Sequence, residues 1–496
     1  MFRFFFILGI LAKYSFIYLL LKLNLYKKPK EKILRNFFED AGGSFVKFGQ
    51  LLSLRIDILP KEYSLELLDL LDNIQSFPYS DVQAIFFQEL GTSPEKVFKD
   101  FQKEPFASAS FGQVHAAKLM DGEIVAVKVM RPGITQDVTT DFFFISLLAF
   151  AADLFKKIEA LPWKEFAQEF KKWTISELDY RTEAENAEKI YNSAKNVSQV
   201  VIPKTFHRLS TQKILVQEYI EGIPLSKALR GLRDGRLSYK TLENMGIDIK
   251  KAPRILVAEL FREYFLHGVF HADPHPGNIL LLENDRIALV DFGMMGEAFK
   301  YNKKSFLLWL KSGIDKDYKK GIYHFANFSA GDLKNLISSV LPASVDEKHI
   351  DEFILLLSDY FSASVTHILS SNVENLKEKR KDYTTVFLEI LKISQSFKVK
   401  LPEEAVILLR ITSIIGLLGK EIDSEFMLFG EVSKFLKEYS EEELTRNDQE
   451  QYLKRINRER AIELFNNWLA YLFEKDPKLY NLVNNYINKY NIAAGN

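Results

Sequence analysis

The chain has 496 residues, 47% hydrophobic and 27% charged, a globular composition large enough for two to three domains or one large two-lobed enzyme. Lys plus Arg and Asp plus Glu both count 66, so the net charge is zero and nothing points to a nucleic-acid partner. There is no cysteine, which excludes disulfides, thiolate metal sites and cysteine nucleophiles.

Residues 2–25 are rich in Phe, Leu and Ile and are interrupted by Arg3, Lys13 and Lys22. The longest uncharged run, Phe4 to Ala12, has nine residues and is too short alone to span a bilayer. Lys22, Lys27, Lys28, Lys30, Lys32 and Arg35 come next, which by the positive-inside rule leaves the remainder cytoplasmic. Three readings stay open: a membrane or interfacial anchor, a hydrophobic helix packed on the protein's own surface, and a signal segment.

Residues 31–75 read as helices, with KFGQLLSLRIDILP carrying apolar residues at helical spacing until Pro60. SPEKVFKDF, from Ser93, reads as a short helix with proline in its first turn. From Phe106 the period changes to two. Gly112 to Lys118 and Glu123 to Met130 are strands joined at Asp121-Gly122, a hairpin signal. Residues 135–195 are helical, Lys213 to Tyr219 a strand, and 252–267 a helix leading into HADPHPGN. Ile279 to Leu282 and Ile287 to Val290 are short strands around Glu283-Asn284-Asp285, and most of the chain after Gly293 is helical. The order is helices, a small β-rich lobe and a mostly helical lobe, with a nucleotide expected between the lobes.

HADPHPGNILLLENDRIALVDFG sets Asp273, then Asn278 five residues on, then Asp291 in an Asp-Phe-Gly. That spacing suits phosphoryl transfer: Asp273 orients a hydroxyl or accepts its proton, while Asn278 and Asp291 hold Mg²⁺ against ATP phosphates. His271 and His275 are four apart, but Pro274 and Pro276 forbid the helix that would pair them on a metal. Lys128, in VAVKV, is a strand lysine whose neighbours Val127 and Val129 point to the opposite face. A lysine there meets the α/β-phosphates when a helix carboxylate holds it. SELDYRTEAEN offers Glu177, Asp179, Glu183 and Glu185. Read as one helix, it puts Glu177 and Glu183 about 120° apart, so they need different partners. Glu183 is assigned to Lys128. The phosphate loop is Ala107, Ser108, Ala109, Ser110, Phe111, Gly112, Gln113 and Val114, and it holds one glycine where a kinase loop has three.

Together these residues resemble the UbiB (ADCK-type) family of atypical protein kinase-like proteins, over roughly residues 30–430. The likeness rests on KFGQ, ASASFGQVH, VAVKVMRPG, ELDYRTEAEN, HADPHPGN, DFGMMG and KVKLPEEAVILLRITSIIGLLG. It implies an α+β, protein kinase-like two-lobed fold: a small β-rich N-lobe with inserted N-terminal helices, a large helical C-lobe and a helical C-terminal extension. The implied division is 1–30 a hydrophobic segment, 31–105 a helical extension, 106–222 the N-lobe, 223–430 the C-lobe and 431–496 a helical tail.

By position, the resemblance makes Lys128 and Glu183 the nucleotide-site ion pair, Asp273 catalytic, and Asn278 and Asp291 metal-holding. Lys47, Gly49 and Gln50 take the place of a regulatory extension motif folded over the site, with Glu177 and Asp179 as its carboxylate partners. The implied activity is that of an ATP- and Mg²⁺-using ATPase or small-molecule or lipid kinase. Phosphorylation of a separate protein is disfavoured because the extension covers Asp273. The resemblance further implies a prenyl-lipid or quinone-precursor ligand, a role in ubiquinone or other isoprenoid-lipid metabolism, and attachment at the inner face of the cell membrane. A homodimer and a nucleotide-switched, non-catalytic scaffold remain alternatives. Many bacterial relatives end in two transmembrane helices; the final YLFEKDPKLYNLVNNYINKYNIAAGN shows no such pair, so attachment would fall to the N-terminus.

Overall fold

The computed structural model describes residues 2–53, 76–109, 111–154, 163–298, 303–315, 317–329, 351–360, 403–446 and 476–489, together with 63, 66–67, 70, 348–349, 465–466, 469–470 and 472–474. Chain contacts divide these into two compact units, Met1–Ala252 with Asp273–Met295, and Pro253–Ala272 with Gly296–Asn496.

In the first unit the strands are β1 (Asp100–Phe101), β2 (Ala107–Ala109), β3 (Gly112–Lys118), β4 (Ile124–Met130), β5 (Val200–Val201), β6 (Ile214–Glu218), β7 (Ile223–Pro224), β8 (Ile279–Leu282) and β9 (Arg286–Leu289). The helices used below are α1 (Phe2–Lys22), α2 (Lys30–Ala41), α3 (Ser44–Ser53), α4 (Tyr79–Leu90), α5 (Ile134–Leu154), α6 (Trp163–Ser176) and α7 (Tyr180–Ala194).

The first sheet runs β1-β3-β4-β6, with β2 also pairing β3. Its period-two pattern sorts the side chains. Val125, Val127 and Val129 are fully buried and pack with Ile214 and Val216 on Phe86 and Phe98. Lys128 lies on the other face, opposite Val114 on β3 and Leu215 on β6. The second sheet runs β5-β9-β8-β7. Its β8–β9 hairpin turns through Asn284 (φ 61°) and Asp285 (φ 55°), a left-handed pair that non-glycine residues resist. Asp285 secures the turn by accepting from the Asp248 N–H at 2.7 Å and Lys251 Nζ at 2.6 Å.

A second core of the first unit joins helices to the sheet. Phe38, Phe45, Phe142, Phe170, Phe111 and Tyr180 share it with Ile7 of α1. The second unit is built on α8 (Lys251–Arg262), which widens into a π-turn over Glu263–His267, closed by Gly268 at φ 77°. In that unit Arg254 donates to Asp423 at 2.6 Å, and Phe261, Phe265 and Phe435 stack.

Two expectations shift. SPEKVFKDF is helical only over Pro94–Val97. Phe98 turns extended and buried, and Asp100–Phe101 joins the sheet against Ala117 and Lys118. The ELDYRTEAEN block is not one helix: α6 ends at Ser176, and α7 restarts at Tyr180 with Asp179 as its N-cap. Most of SLRIDILP, from Leu54 on, and the KVKLP start of the later motif lie outside the described residues.

Candidate functional site

Strand β4 sets Lys128 in the sheet, and its ladder partners on both sides fix its direction. Its ammonium donates to Glu183 Oε1 and Oε2 at 2.8 and 2.9 Å and to Asp291 Oδ2 at 3.1 Å. Glu183 comes from the first turn of α7 and is buried. Asp291 lies just past β9, and its Oδ1 accepts the Gly293 N–H at 3.0 Å. One cation therefore bridges two carboxylates from separate elements.

The electrostatics reflect this bridging. Burial pulls the Lys128 ammonium down, but Asp291 and Glu183 more than offset it and hold its pKa well above the ordinary lysine value. Burial pushes Asp291 up, yet Lys128 and then Lys47 pull it well below the usual carboxylate range. Glu183 is raised by burial, and Lys128 only partly offsets this. Lys128 and Asp291 are thus both held charged.

Sequence reasoning missed two residues here. Tyr180, three residues before Glu183, is buried, and its ring lies 5.1 Å from the Lys128 ammonium. Among the described residues its hydroxyl has no hydrogen-bond partner, and a Cβ at Gly112 would stand 2.5 Å from it. Asn186, three residues after Glu183, donates to the Phe292 carbonyl at 3.1 Å and ties α7 to the Asp-Phe-Gly segment. The signal was present in the block as helical spacing: residues 180 and 186 each lie three positions from Glu183 and so flank it on the helix.

The single-glycine loop is a tight hairpin in which Ala107, Ser108 and Ala109 pair with Val114, Gln113 and Gly112. Gly112 is required by close approach, because a Cβ would also meet the Val129 carbonyl at 2.5 Å. Not every loop residue faces a nucleotide with its side chain. Phe111 is buried in the helical core, and its carbonyl accepts the Arg131 N–H at 2.7 Å. Gln113 lies on the Val127 face, where it exchanges hydrogen bonds with the Phe77 backbone at 2.8 and 3.2 Å and contacts His115. Val114 is on the Lys128 face. Ser110 lies outside the described residues.

The extension motif reaches this loop. Lys47 pairs with Glu177 and stands 4.6 Å over the Phe111 ring. Glu177 packs on the Asp-Phe-Gly glycine: a Cβ at Gly293 would be 3.2 Å from its Cγ. Gly49 lets Phe38 and Leu70 approach, since its missing Cβ would fall within 2.8 Å of both. Gln50 donates to the Leu70 carbonyl at 3.2 Å. Asp179 departs from the expected pairing. As the α7 cap it accepts from the Arg181 N–H at 3.1 Å and from Arg181 Nε and Nη2 at 2.9 and 2.6 Å. Those bonds hold its carboxylate below the ordinary range.

In HADPHPGN, Asn278 Nδ2 donates to Asp273 Oδ2 at 2.9 Å, leaving the amide oxygen as its remaining acceptor. His275 Nδ1 accepts the Gly277 N–H at 3.2 Å and caps the turn Pro276–Asn278. Asn278 and Asp291 supply hard oxygen donors, which suit a small divalent cation that keeps phosphate and water as its other ligands. Among the described residues no group of three His, Asp or Glu is placed to hold a metal ion by itself.

Known proteins resemble this chain in sequence. Residues 69–324 match the family described as the ABC1 atypical kinase-like domain. The chain is 32% identical over 443 residues to an uncharacterized protein in the hydrogenase 1 5′ region of Clostridium pasteurianum, covering 89% of this chain and 77% of that one. It is 30% identical over 424 residues to Activity of bc1 complex kinase 8, chloroplastic, of Arabidopsis thaliana, covering 81% of this chain and 52% of the relative. The chain thus spans about half the length of that plant relative. A solved Rv3197–erythromycin complex from Mycobacterium tuberculosis matches with a TM-score of 0.45 at 24% identity, covering 77% of this chain and 89% of that one.

Proposed function

The chain belongs to the ABC1 (UbiB) atypical kinase-like family, and on that premise we propose that its first unit binds ATP with Mg²⁺ and hydrolyses or transfers the terminal phosphoryl group. The observation that carries this reading is Lys128 bridging Glu183 and Asp291. A charged, pre-set ammonium in that place can hold the α/β-phosphates. Asp291 and the Asn278 amide oxygen would hold the cation, which would supply charge neutralisation at the phosphates. Asp273, oriented by Asn278, would position the attacking water or hydroxyl. The loop Ala107–Val114 would meet the phosphates through backbone rather than through the Phe111 or Gln113 side chains.

The acceptor is proposed to be water or a small prenyl-phenol or isoprenoid lipid, in support of quinone or related lipid metabolism. Lys47, placed over Phe111 and paired to Glu177, favours a small acceptor over a protein segment. The same cover supports a second reading, a scaffold that binds nucleotide as a switch without turnover.

The test is ATP turnover by the purified chain with and without Mg²⁺, lipid vesicles and prenyl-phenols. Asp291→Asn and Asp273→Asn are each expected to lower turnover by about 10²-fold or more. Unchanged binding and turnover in Asp291→Asn would remove the site assignment. Binding without turnover under every condition would select the scaffold.

A further inference from the structure

Two glutamates are buried on successive turns in the second unit, and the phosphoryl chemistry proposed above uses neither. Glu259, on α8, is 3% exposed, and Glu263, which opens the π-turn, is 1% exposed. Residues four apart on a helix share a face. The two carboxyl groups stand within hydrogen-bonding reach of each other.

Arg262 is committed to Glu259. Its Nη2 pairs with Glu259 Oε1, its Nε donates to Oε2 at 2.9 Å, and its Nη1 donates to His267 Nε2 at 2.8 Å. Glu263 has a different partner. Its Oε2 accepts the His271 N–H at 2.8 Å, while its Oε1 is buried and has no partner among the described residues. An ionised carboxylate with an unmet oxygen is costly to bury, and a second carboxylate beside it adds to the cost. A proton shared between the two groups removes both penalties: it supplies the missing bond and cancels one of two like charges. Burial, and then Glu259, push the Glu263 carboxyl well above the ordinary carboxylate range, as that arrangement requires.

Glu263 also stands where one residue can fasten two segments. Its backbone carbonyl accepts the Gly268 N–H at 2.9 Å and closes the π-turn, a local form frequent at functional sites. Its side chain holds His271, the last residue of the strand Val269–His271. The next carbonyl, of Ala272, accepts Arg410 Nη2 at 3.3 Å. Asp273 follows directly in the chain.

The other charges around the turn are engaged or distant from this pair. The short helix Glu441–Thr445 packs on the turn and brings Glu441, paired with Lys311 at 2.8 Å, Glu443, which caps Ser440, and the exposed Glu442. The helices Lys303–Ile314 and Leu428–Glu438 meet it through the rings of Phe306 and Phe435, and Lys303 is buried at the start of the first.

We propose that Glu263 is a positioning residue for Asp273: a neutral acid that shares one proton with Glu259 and clamps the end of the strand entering HADPHPGN. The proton and the clamp stand without the nucleotide reading; only their consequence for turnover rests on it. Loss of the proton sets two buried anions one turn apart, which opens the π-turn and releases His271.

The experiment uses the full chain without nucleotide and two variants. Glu263→Gln keeps the acceptor and cannot ionise; Glu263→Met keeps the length and loses the acceptor. Chemical denaturation from about pH 5 to about pH 9 reads the proton. The Glu263 carboxyl is raised in the folded chain, so its contribution is full below the ordinary glutamate value and is lost as pH rises toward the raised one. In that window the folding equilibrium of the parent should fall about tenfold per pH unit relative to Glu263→Gln. Parallel pH dependence in the two chains overturns the shared proton.

Amide exchange over residues 269–273 reads the clamp. Glu263→Gln should match the parent, and Glu263→Met should exchange about tenfold faster or more at His271. A Met chain that fails to fold where the Gln chain folds also supports the clamp, because the two differ in the acceptor. Unchanged exchange in Glu263→Met overturns it. For turnover, kcat should fall about tenfold in Glu263→Met with KM for ATP unchanged. Glu263→Gln should restore it and lose the alkaline decline of the parent. Equal kcat in Glu263→Met and the parent overturns the positioning role. A parent chain without turnover strikes the phosphoryl reading alone, and denaturation and exchange still decide the proton and the clamp.

Discussion

Two lysine–glutamate pairs stand in the same unit and are built differently. Lys128 sits mid-strand with a neighbour on each side, and Glu183 sits in the first turn of a helix that also grips the Phe292 carbonyl. Lys47 sits on α3, added outside the sheet, and its partner Glu177 lies in the break between two helices. The first pair is built into the framework; the second is laid on it. Ion-pair chemistry alone therefore does not reveal a role, whereas the elements carrying the charges do.

The largest effect should come from Lys128→Ala. It leaves Glu183 buried without its cation, for a loss of about 3 kcal/mol in stability by chemical denaturation, together with near-complete loss of nucleotide binding by calorimetry. A variant that keeps both would make the two pairs equivalent and end the distinction.

Acid titration is the next test. The pKa of Asp291 is lowered in the folded state, so its contribution is present above the ordinary carboxylate value and fades as pH falls through the lowered one. The pKa of Lys128 is raised, so its contribution is present below the ordinary lysine value and fades only as pH rises through the raised one. Thermal melts should show these two contributions constant around neutrality. The acid limb should flatten in Asp291→Asn, while Lys47→Ala should move it less.

A smaller effect is expected for Lys47→Ala itself: about 1 kcal/mol or less, because both partners keep some solvent. Turnover should be retained or rise. A fall as deep as that of Lys128→Ala would place Lys47 in the machinery rather than the cover.

The smallest change is Tyr180→Phe, which removes a buried hydroxyl that has no partner among the described residues. Without nucleotide it should be neutral or stabilising by about 1 kcal/mol. If the hydroxyl meets a bound phosphate, calorimetry will show weaker nucleotide binding in the same variant.

Much of this was legible because it was local. The alternation in VAVKV forecast which face Lys128 takes, and Gly112–Lys118 and Ile279–Leu282 run as strands at the expected bounds. The Lys128–Glu183 contact is present as assigned, although the helix geometry only separated Glu177 from Glu183 and took the block for one continuous helix. The features that escaped depended on capping and packing. Asp179 in ELDY reads as one more helical acid until it is seen to start α7, after which Arg181 is its nearest cation. Phe111 reads as a loop residue until the helices of the extension supply a core for it. The ion pairs of Arg3 and Lys13 on α1 were not legible either, because their partners Asp141 and Asp40 lie far along the chain.

Gly293 carries a consequence beyond its place in the motif. Its α-carbon faces the Glu177 methylenes closely enough that any side chain there would press on them. Turning the Asp291–Gly293 segment outward would drive backbone into the partner of Lys47. The segment that carries Asp291 and the Lys47–Glu177 pair therefore press directly on one another, like a bolt behind a door. Compounds that need that segment reversed should bind slowly, at a rate set by release of Lys47 from Glu177, whereas compounds that leave it in place should bind without such a delay.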